Sequence, residues 1–233
     1  MLKIDKKRSI LYALIREIFS SDFSTQLALK WSIVAHYIHG LDRLSPYLEI
    51  DIVRHIGNED IFLDYMKDII SKHGELKATI KKDNSYTFAL TYGDGEDMIR
   101  IDFDKIIFQE NQYEIINFLG IELLAQDSAT IFTHQLLAIT DILVINNRDL
   151  YDMCTYLNRD FALNALLIEE KTSKNPREYL IYLTEYLGKY GNPMRSPENV
   201  SSDFDTQEEI LFSQKTLLEE SLRLLRLYIS HLS

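Results

Sequence analysis

The stretch Leu48-Glu49-Ile50-Asp51-Ile52-Val53 alternates aliphatic and acidic residues with a period of two. Because successive side chains of a β-strand point to opposite faces of the sheet, this period predicts a strand with both carboxylates on one face. The aliphatic residues on the other face supply the apolar surface that a sheet buries against a second layer. The segment therefore predicts a half-buried strand that presents Glu49 and Asp51.

The segments on either side of this strand predict helices before it, and a helix and further strands after it. Apolar residues recur at helical spacing over 10–19 and again over 27–38, where Ser24 or Thr25 is the predicted cap and Gly40 the predicted end. After the strand, helical spacing returns over 58–73. Strand patterns separated by turn-forming residues then follow over 76–81, 86–92, 98–103 and 115–124.

From Ser128 onward the apolar spacing is helical. Helices are predicted over 130–145, 150–157, 160–171, 176–190 and 206–232, with a linker containing proline and serine at 191–202. These patterns predict an α+β fold, in which helices flank a mixed sheet and the C-terminal half is helical. The change in pattern predicts two domains, 1–125 and 126–233.

Composition limits the classes of function. The chain of 233 residues carries a formal net charge of −11, which repels polyanions and disfavours an RNA partner. Its one cysteine, Cys154, excludes an internal disulfide framework and indicates a reducing compartment. No apolar stretch approaches the roughly 20 residues that a membrane-spanning helix needs. We therefore expect a cytoplasmic protein with no membrane association.

Three ordered blocks of residues carry a family resemblance. They are Leu29-Lys30-Trp31-Ser32 followed by Gly40-Leu41-Asp42-Arg43-Leu44-Ser45 and Leu48–Asp51, then Arg100–Asp104, then Gln135–Ala138 with Arg148-Asp149-Leu150-Tyr151-Asp152. Their order and spacing resemble the AbiEii/AbiGii family of bacterial abortive-infection toxins, which have a nucleotidyltransferase fold. The resemblance covers the region from Leu27 to Leu157, and the Arg-Asp-Leu-Tyr-Asp block is its most specific element.

The resemblance implies the transfer of a nucleotide from an NTP, with Mg²⁺, to an RNA or protein acceptor. By position, Glu49, Asp51 and Asp102 would be the catalytic, metal-holding carboxylates, with Asp104 as the other choice for the third. Carboxylates on neighbouring strands hold the metal ions in such transfers. The nucleotide would be contacted by Ser32, Arg43 and Ser45. The resemblance also implies a role in phage defence or a toxin–antitoxin pair, with a cognate antitoxin or other protein as partner.

Several residues depart from the family pattern. Trp31-Ser32 replaces a glycine pair, Tyr47 and Glu49 replace strand aspartates, and Gln135 replaces a lysine. Two hypotheses follow, an active nucleotidyltransferase and a catalytically inactive module of the same fold that acts through a protein partner. Two structural alternatives also stay open. In the first, Glu49 and Asp51 form the solvent-facing side of an ordinary strand. In the second, Arg148–Asp152 docks the helical half instead of serving catalysis.

Overall fold

The computed structural model describes residues 2–38, 40–41, 47–93, 97–141, 145, 147–190 and 214–232, with the backbone alone described at 2–5, 31–32, 147–148 and 214–215. The described residues belong to two compact units. Unit 1 takes its residues from Met1–Ile38, Leu44–Ile107 and Tyr113–Gln126, and unit 2 from His39–Arg43, Phe108–Gln112 and Asp127–Ser233. The domain assignment 1–125 and 126–233 stays a prediction.

Unit 1 is built on a mixed sheet, which confirms the predicted fold class. Within the described residues it has seven strands, β1 Leu27–Leu29, β2 Tyr47–Ile52, β3 Glu75–Lys81, β4 Ser85–Tyr92, β5 Asp97–Asp104, β6 Tyr113–Phe118 and β7 Ile121–Gln126. Their order across the sheet is β3-β4-β5-β2-β1-β7-β6. The β2–β5 and β1–β7 pairs are parallel, and the other pairs are antiparallel.

Three α-helices belong to the described part of unit 1: α1 Leu2–Phe19, α2 Trp31–Tyr37 and α3 Glu59–Ser71. The apolar stripe of α1 is fully buried, as its spacing predicts. Asn58 caps α3, because its side chain accepts hydrogen bonds from the backbone N–H groups of Asp60 and Ile61. The segments 10–19 and 58–73, predicted as helices from their apolar spacing, are therefore confirmed as helical.

The second predicted helix is wrong in its first half. Leu27–Leu29 forms strand β1, and the helix begins only at Trp31. The three β1 residues are buried, and the strand lies between β2 and β7, so neighbouring strands satisfy its backbone groups. A short apolar run has no period that separates a central strand from a buried helix, and tertiary pairing decided between them.

The single strand predicted over 115–124 is a hairpin. Strands β6 and β7 pair in continuous antiparallel register from Tyr113–Gln126 to Phe118–Ile121. Leu119 and Gly120, at φ angles of 49° and 85°, make the two-residue turn between them. Positive φ at both central positions matches the right-handed twist of the flanking strands. Leucine is an uncommon residue for that conformation, which is why the turn is hard to see in the sequence.

The apolar face of the sheet is packed against α3. The rings of Phe62 on α3 and Phe103 on β5 meet edge to face with centroids 5.2 Å apart, and Phe88 on β4 lies 5.8 Å from Phe103. All three residues are fully buried. Because odd-numbered residues of β5 take this face, its even-numbered residues, including Asp102 and Asp104, lie on the other face.

Unit 2 is helical in its described part, with α4 Ser128–Asp141, α5 Asn147–Asn158, α6 Ala165–Thr172, α7 Pro176–Tyr190 and α8 Gln214–His231. The buried Asn164 caps α6 and donates to the carbonyl of Glu110 at 2.7 Å. The linker predicted at 191–202 lies outside the described residues. No helix in the described ranges is both long and apolar enough to cross a bilayer.

Candidate functional site

Four carboxylates lie on one face of two adjacent parallel strands. In the β2–β5 register, Glu49 is opposite Asp102 and Asp51 is opposite Asp104. Residues opposite each other in a sheet share a face, and so do residues two apart along a strand. The structure thus brings the three predicted site carboxylates, Glu49, Asp51 and Asp102, to one face together with Asp104. We call this group the carboxylate face.

A lysine from the neighbouring strand lies between two of these carboxylates. Lys30 directly follows β1, and its backbone N–H donates to the carbonyl of Glu49 at 3.1 Å. Its ammonium Nζ lies 3.1 Å from Asp51 Oδ1 and 2.5 Å from Asp104 Oδ2. Lys30 is only 8% exposed. The ammonium therefore neutralises charge in a place that water hardly reaches.

The second oxygen of Asp51 is held by two neutral donors. The Tyr113 hydroxyl donates to Oδ2 at 2.8 Å and the Gln126 amide donates to it at 2.9 Å. Tyr113 and Gln126 are a cross-strand pair of β6 and β7, so the hairpin positions both donors. Asp51 is 1% exposed. Both of its oxygens are engaged within the protein, as a buried charge requires.

Asp102 has partners of its own on β4 and β5. Thr87, its cross-strand neighbour, donates to Oδ1 at 2.5 Å, and Arg100 Nε lies 2.7 Å from Oδ2. Arg100 precedes Asp102 by two residues and therefore stands on the same face. Asp102 is thus turned toward β4 and Arg100, while Asp51 is turned toward Lys30 and the β6–β7 hairpin.

Burial and ion pairing act against each other in this cluster. Burial raises the pKa of Asp51 above its ordinary value, and the neighbouring Lys30 and the Tyr113 hydrogen bond oppose that rise. Burial would lower the pKa of Lys30, but Asp51, Asp104 and Glu49 together raise it. The ammonium is therefore held in its charged form.

The residues around Asp51 do not fit a divalent cation there. Mg²⁺ needs near-octahedral oxygen coordination, and the ammonium of Lys30 lies against the oxygens of Asp51 and Asp104 that would provide it. Among the described residues, no group of three or more His, Cys, Asp or Glu side chains is arranged to hold a metal ion. The assignment of Glu49, Asp51 and Asp102 as catalytic and metal-holding residues remains a prediction.

The predicted nucleotide contacts are only partly described. Ser32 lies in the first turn of α2, where the structure describes the backbone but not the side chain. Arg43 and Ser45 lie outside the described residues. In unit 2, Gln135 donates to Asp149 Oδ1 at 3.4 Å, and Asp152 is 1% exposed. The docking role of the Arg148–Asp152 block stays a prediction.

Sequence reasoning did not assign Lys30, Tyr113 or Gln126 to this site. Lys30 ends the apolar run Leu27–Leu29, and a single cation at the end of a buried run signals a buried counter-charge. Tyr113 and Gln126 carry no such local signal, because they stand 62 and 75 residues from Asp51 along the chain. Only the strand order brings them to the carboxylate.

Replacing Tyr113 with phenylalanine is expected to lower the free energy of unfolding by about 1.5–3 kcal/mol, the usual effect of removing a hydrogen bond to a charged group. Within the described part of the chain, the loss leaves the Gln126 amide as the neutral donor to Asp51 Oδ2. Urea unfolding of the wild type and the variant measures the difference. Tyr65→Phe, at a tyrosine that is 39% exposed, is the matched control and should change the value by less than about 0.5 kcal/mol. Equal effects of the two variants would contradict the role given to Tyr113.

Solved structures share the fold of this chain over most of its length. JHP933 from Helicobacter pylori has a TM-score of 0.54 and 16% identity, over 99% of this chain and 92% of that one. An H. pylori protein described as a candidate nucleotidyltransferase has a TM-score of 0.58 and 16% identity, over 97% and 94%. The nucleotidyltransferase toxin MenT4 from Mycobacterium tuberculosis H37Rv has a TM-score of 0.52 and 10% identity, over 98% and 83%.

A scan against protein-family models found no match, and a search of curated proteins by sequence found none either. At the identities of the structural neighbours, the likeness establishes the fold alone. The chain is therefore a nucleotidyltransferase-fold protein.

Proposed function

We propose that this chain is a nucleotidyltransferase-fold protein of the toxin type that acts by binding a protein partner, without metal-dependent nucleotide transfer. The observation that carries the proposal is the position of Lys30, whose ammonium contacts Asp51 and Asp104 at 3.1 and 2.5 Å. A bound cation would have to displace this buried ammonium and leave its charge without a partner, which is unfavourable.

The charge of the carboxylate face supports the same conclusion. Its acidic side chains, Glu49, Asp51, Asp102 and Asp104, outnumber the two cations beside them, Lys30 and Arg100. A triphosphate that approaches without a metal ion meets a surface of its own sign. The chain as a whole has a net charge of −11, which likewise disfavours an RNA acceptor.

We therefore propose that the partner is a protein, and more specifically a cognate antitoxin. MenT4, which has this fold, is itself a toxin. An acidic chain also suits a partner with a basic surface, since complementary charge speeds encounter and excludes wrong partners.

A second candidate function is nucleotide transfer from an NTP with Mg²⁺ to an RNA or protein acceptor. One observation favours it: Glu49 faces Asp102 directly across the β2–β5 pair, and both side chains are partly exposed. Two carboxylates on neighbouring strands are the donor set that such transfer uses. In this function Ser32, Arg43 and Ser45 would contact the nucleotide.

Calorimetric titration of Mg²⁺ or Mn²⁺ with each of the four NTPs separates the two functions. We expect no saturable heat from the wild-type chain that depends on both the metal and the nucleotide. Saturable, metal-dependent binding that is lost in Glu49→Ala and Asp102→Ala, but kept in Glu75→Ala, would establish the second function instead. Glu75 is the matched control because it pairs with Lys77 on the edge strand β3, which β4 separates from the two strands that carry the carboxylate face.

A further inference from the structure

The two edges of the sheet differ in how they are protected. The edge strand β3 carries Lys77 and Lys81, and its pairing with β4 shifts register between Leu76 and Ala78. Lysines and bulges are the devices by which proteins keep a sheet edge from pairing with another chain. This edge is therefore blocked.

The other edge strand, β6, has no lysine and no shift in register, and its one charged residue is Glu114. No lysine, arginine or proline occurs between Lys105 and Arg148, and the β6–β7 register is unbroken. Ile115, near the middle of β6, is 72% exposed. Its cross-strand neighbour Leu124 on β7 is partly exposed on the same face. An exposed aliphatic pair on an edge strand with an unbroken register is an arrangement that strand addition uses.

We propose that β6 is a self-association edge, on which two copies of this chain pair antiparallel with Ile115 opposite Ile115 of the second copy. A symmetric antiparallel pair has its two-fold axis perpendicular to the sheet, so one residue must face its own copy. Centring the pair on Glu114 would oppose two carboxylates, which is destabilising. Centring it on Ile116 would place Ile115 opposite Asn117.

The Ile115-centred register gives the most favourable cross-strand pairs of side chains. It sets Glu114 opposite Ile116 and Tyr113 opposite Asn117, so no like charges meet. It also places Leu124 and Ile115 of one copy in line with Ile115 and Leu124 of the second copy. The four side chains form one aliphatic row across the joined sheets, because cross-strand neighbours share a face. The row covers the most exposed large apolar residue of the described chain. Burial of this surface favours association.

The net charge of −11 on each copy opposes this pairing. Exposed charges interact over a screening length of about 8 Å at physiological ionic strength and over a longer range at low salt. Self-association should therefore strengthen as salt is added, the opposite of what a charge-paired interface would show. The pairing does not depend on the proposed function, since it joins two copies of this chain and needs no different protein as partner.

Sedimentation equilibrium of the full chain, over a hundredfold range of protein concentration, is the first test. We expect the mass to rise from monomer to dimer and the dissociation constant to increase by about tenfold or more in Ile115→Lys, which places two ammonium groups together in place of an apolar pair. Ile80→Lys on β3 is the matched control, an exposed isoleucine on the blocked edge, and should leave the equilibrium unchanged. A wild-type chain that stays monomeric, or equal effects of the two variants, would overturn the proposal.

Cross-linking tests the register itself. Opposite residues in an antiparallel pair have Cα atoms about 4.5–5.5 Å apart, within the range that a disulfide spans. Ile115→Cys should therefore form a covalent dimer in a thiol–disulfide buffer, whereas Ile80→Cys should not. The wild type reports any contribution from Cys154, which is buried. Failure of Ile115→Cys to cross-link faster than Ile80→Cys would exclude the Ile115-centred pair.

Discussion

Replacing Lys30 with methionine is expected to lower the free energy of unfolding by about 3–5 kcal/mol, the usual effect of removing one partner of a buried ion pair. Methionine keeps most of the side-chain volume, so the loss is chiefly one of charge compensation. Asp51, which is 1% exposed, would keep Tyr113 and Gln126 as its side-chain donors among the described residues. Urea unfolding followed by circular dichroism measures the change.

Two further variants test the cause. Lys77→Met removes a lysine whose ion pair with Glu75 is exposed on β3, and its effect should stay below about 1 kcal/mol. The double variant Lys30→Met with Asp51→Asn removes both charges of the buried pair, and should recover a large part of the stability lost in the single variant. If the stability lost in the double variant equals the sum of the losses in Lys30→Met and Asp51→Asn alone, lost packing rather than lost charge explains the effect.

The sequence was informative wherever a local period decides the structure. The period of two in β2 and β5 predicts which side of the sheet each residue takes, so the shared face of Glu49 and Asp51 follows from their spacing alone. The meander β3–β5 was predicted within one residue of its bounds for the same reason. Local alternation needs no knowledge of the neighbouring strands.

Strand order is the part that a single sequence does not contain. Asp102 faces Glu49 because β5 runs parallel beside β2, and Lys30 reaches Asp51 because β1 lies on the other side of β2. Neither adjacency has a local signal. The run Leu27–Leu29 was too short to distinguish a strand from a helix, so the element that positions Lys30 was predicted as part of a helix.

The residues that depart from the pattern of the family that the sequence resembles would bear on the chemistry more than on the fold. Tyr47, which stands where the resemblance places the first aspartate, is 40% exposed at the start of β2 and pairs with Arg100 in the register. A strand tolerates tyrosine as readily as aspartate, since aromatic residues suit a half-buried pleated surface. The fold therefore tolerates tyrosine at a position where the resemblance implies a metal-holding aspartate. This is the physical reason why the likeness to solved structures and the proposed loss of catalysis are compatible.

Replacing Phe103 with alanine is expected to lower the free energy of unfolding by about 3–5 kcal/mol, the range for removing a buried phenylalanine from a packed core. Phe103 is fully buried and meets Phe62 and Phe88 edge to face at 5.2 and 5.8 Å. Alanine would leave a cavity between β5 and α3 and lose both ring contacts. Thermal and urea unfolding should agree on the size of the loss.

Met98→Ala on the same strand is the control that makes this a test of the two-faced sheet. Met98 is 54% exposed and takes the face that carries Asp102 and Asp104, so its truncation should change stability by no more than about 0.5 kcal/mol. A small effect of Phe103→Ala, or a large effect of Met98→Ala, would mean that the even-numbered residues of β5 face the core and the odd-numbered ones do not. In that arrangement the carboxylates would point into the core, and the contacts of Lys30 with Asp51 and Asp104 could not form as described.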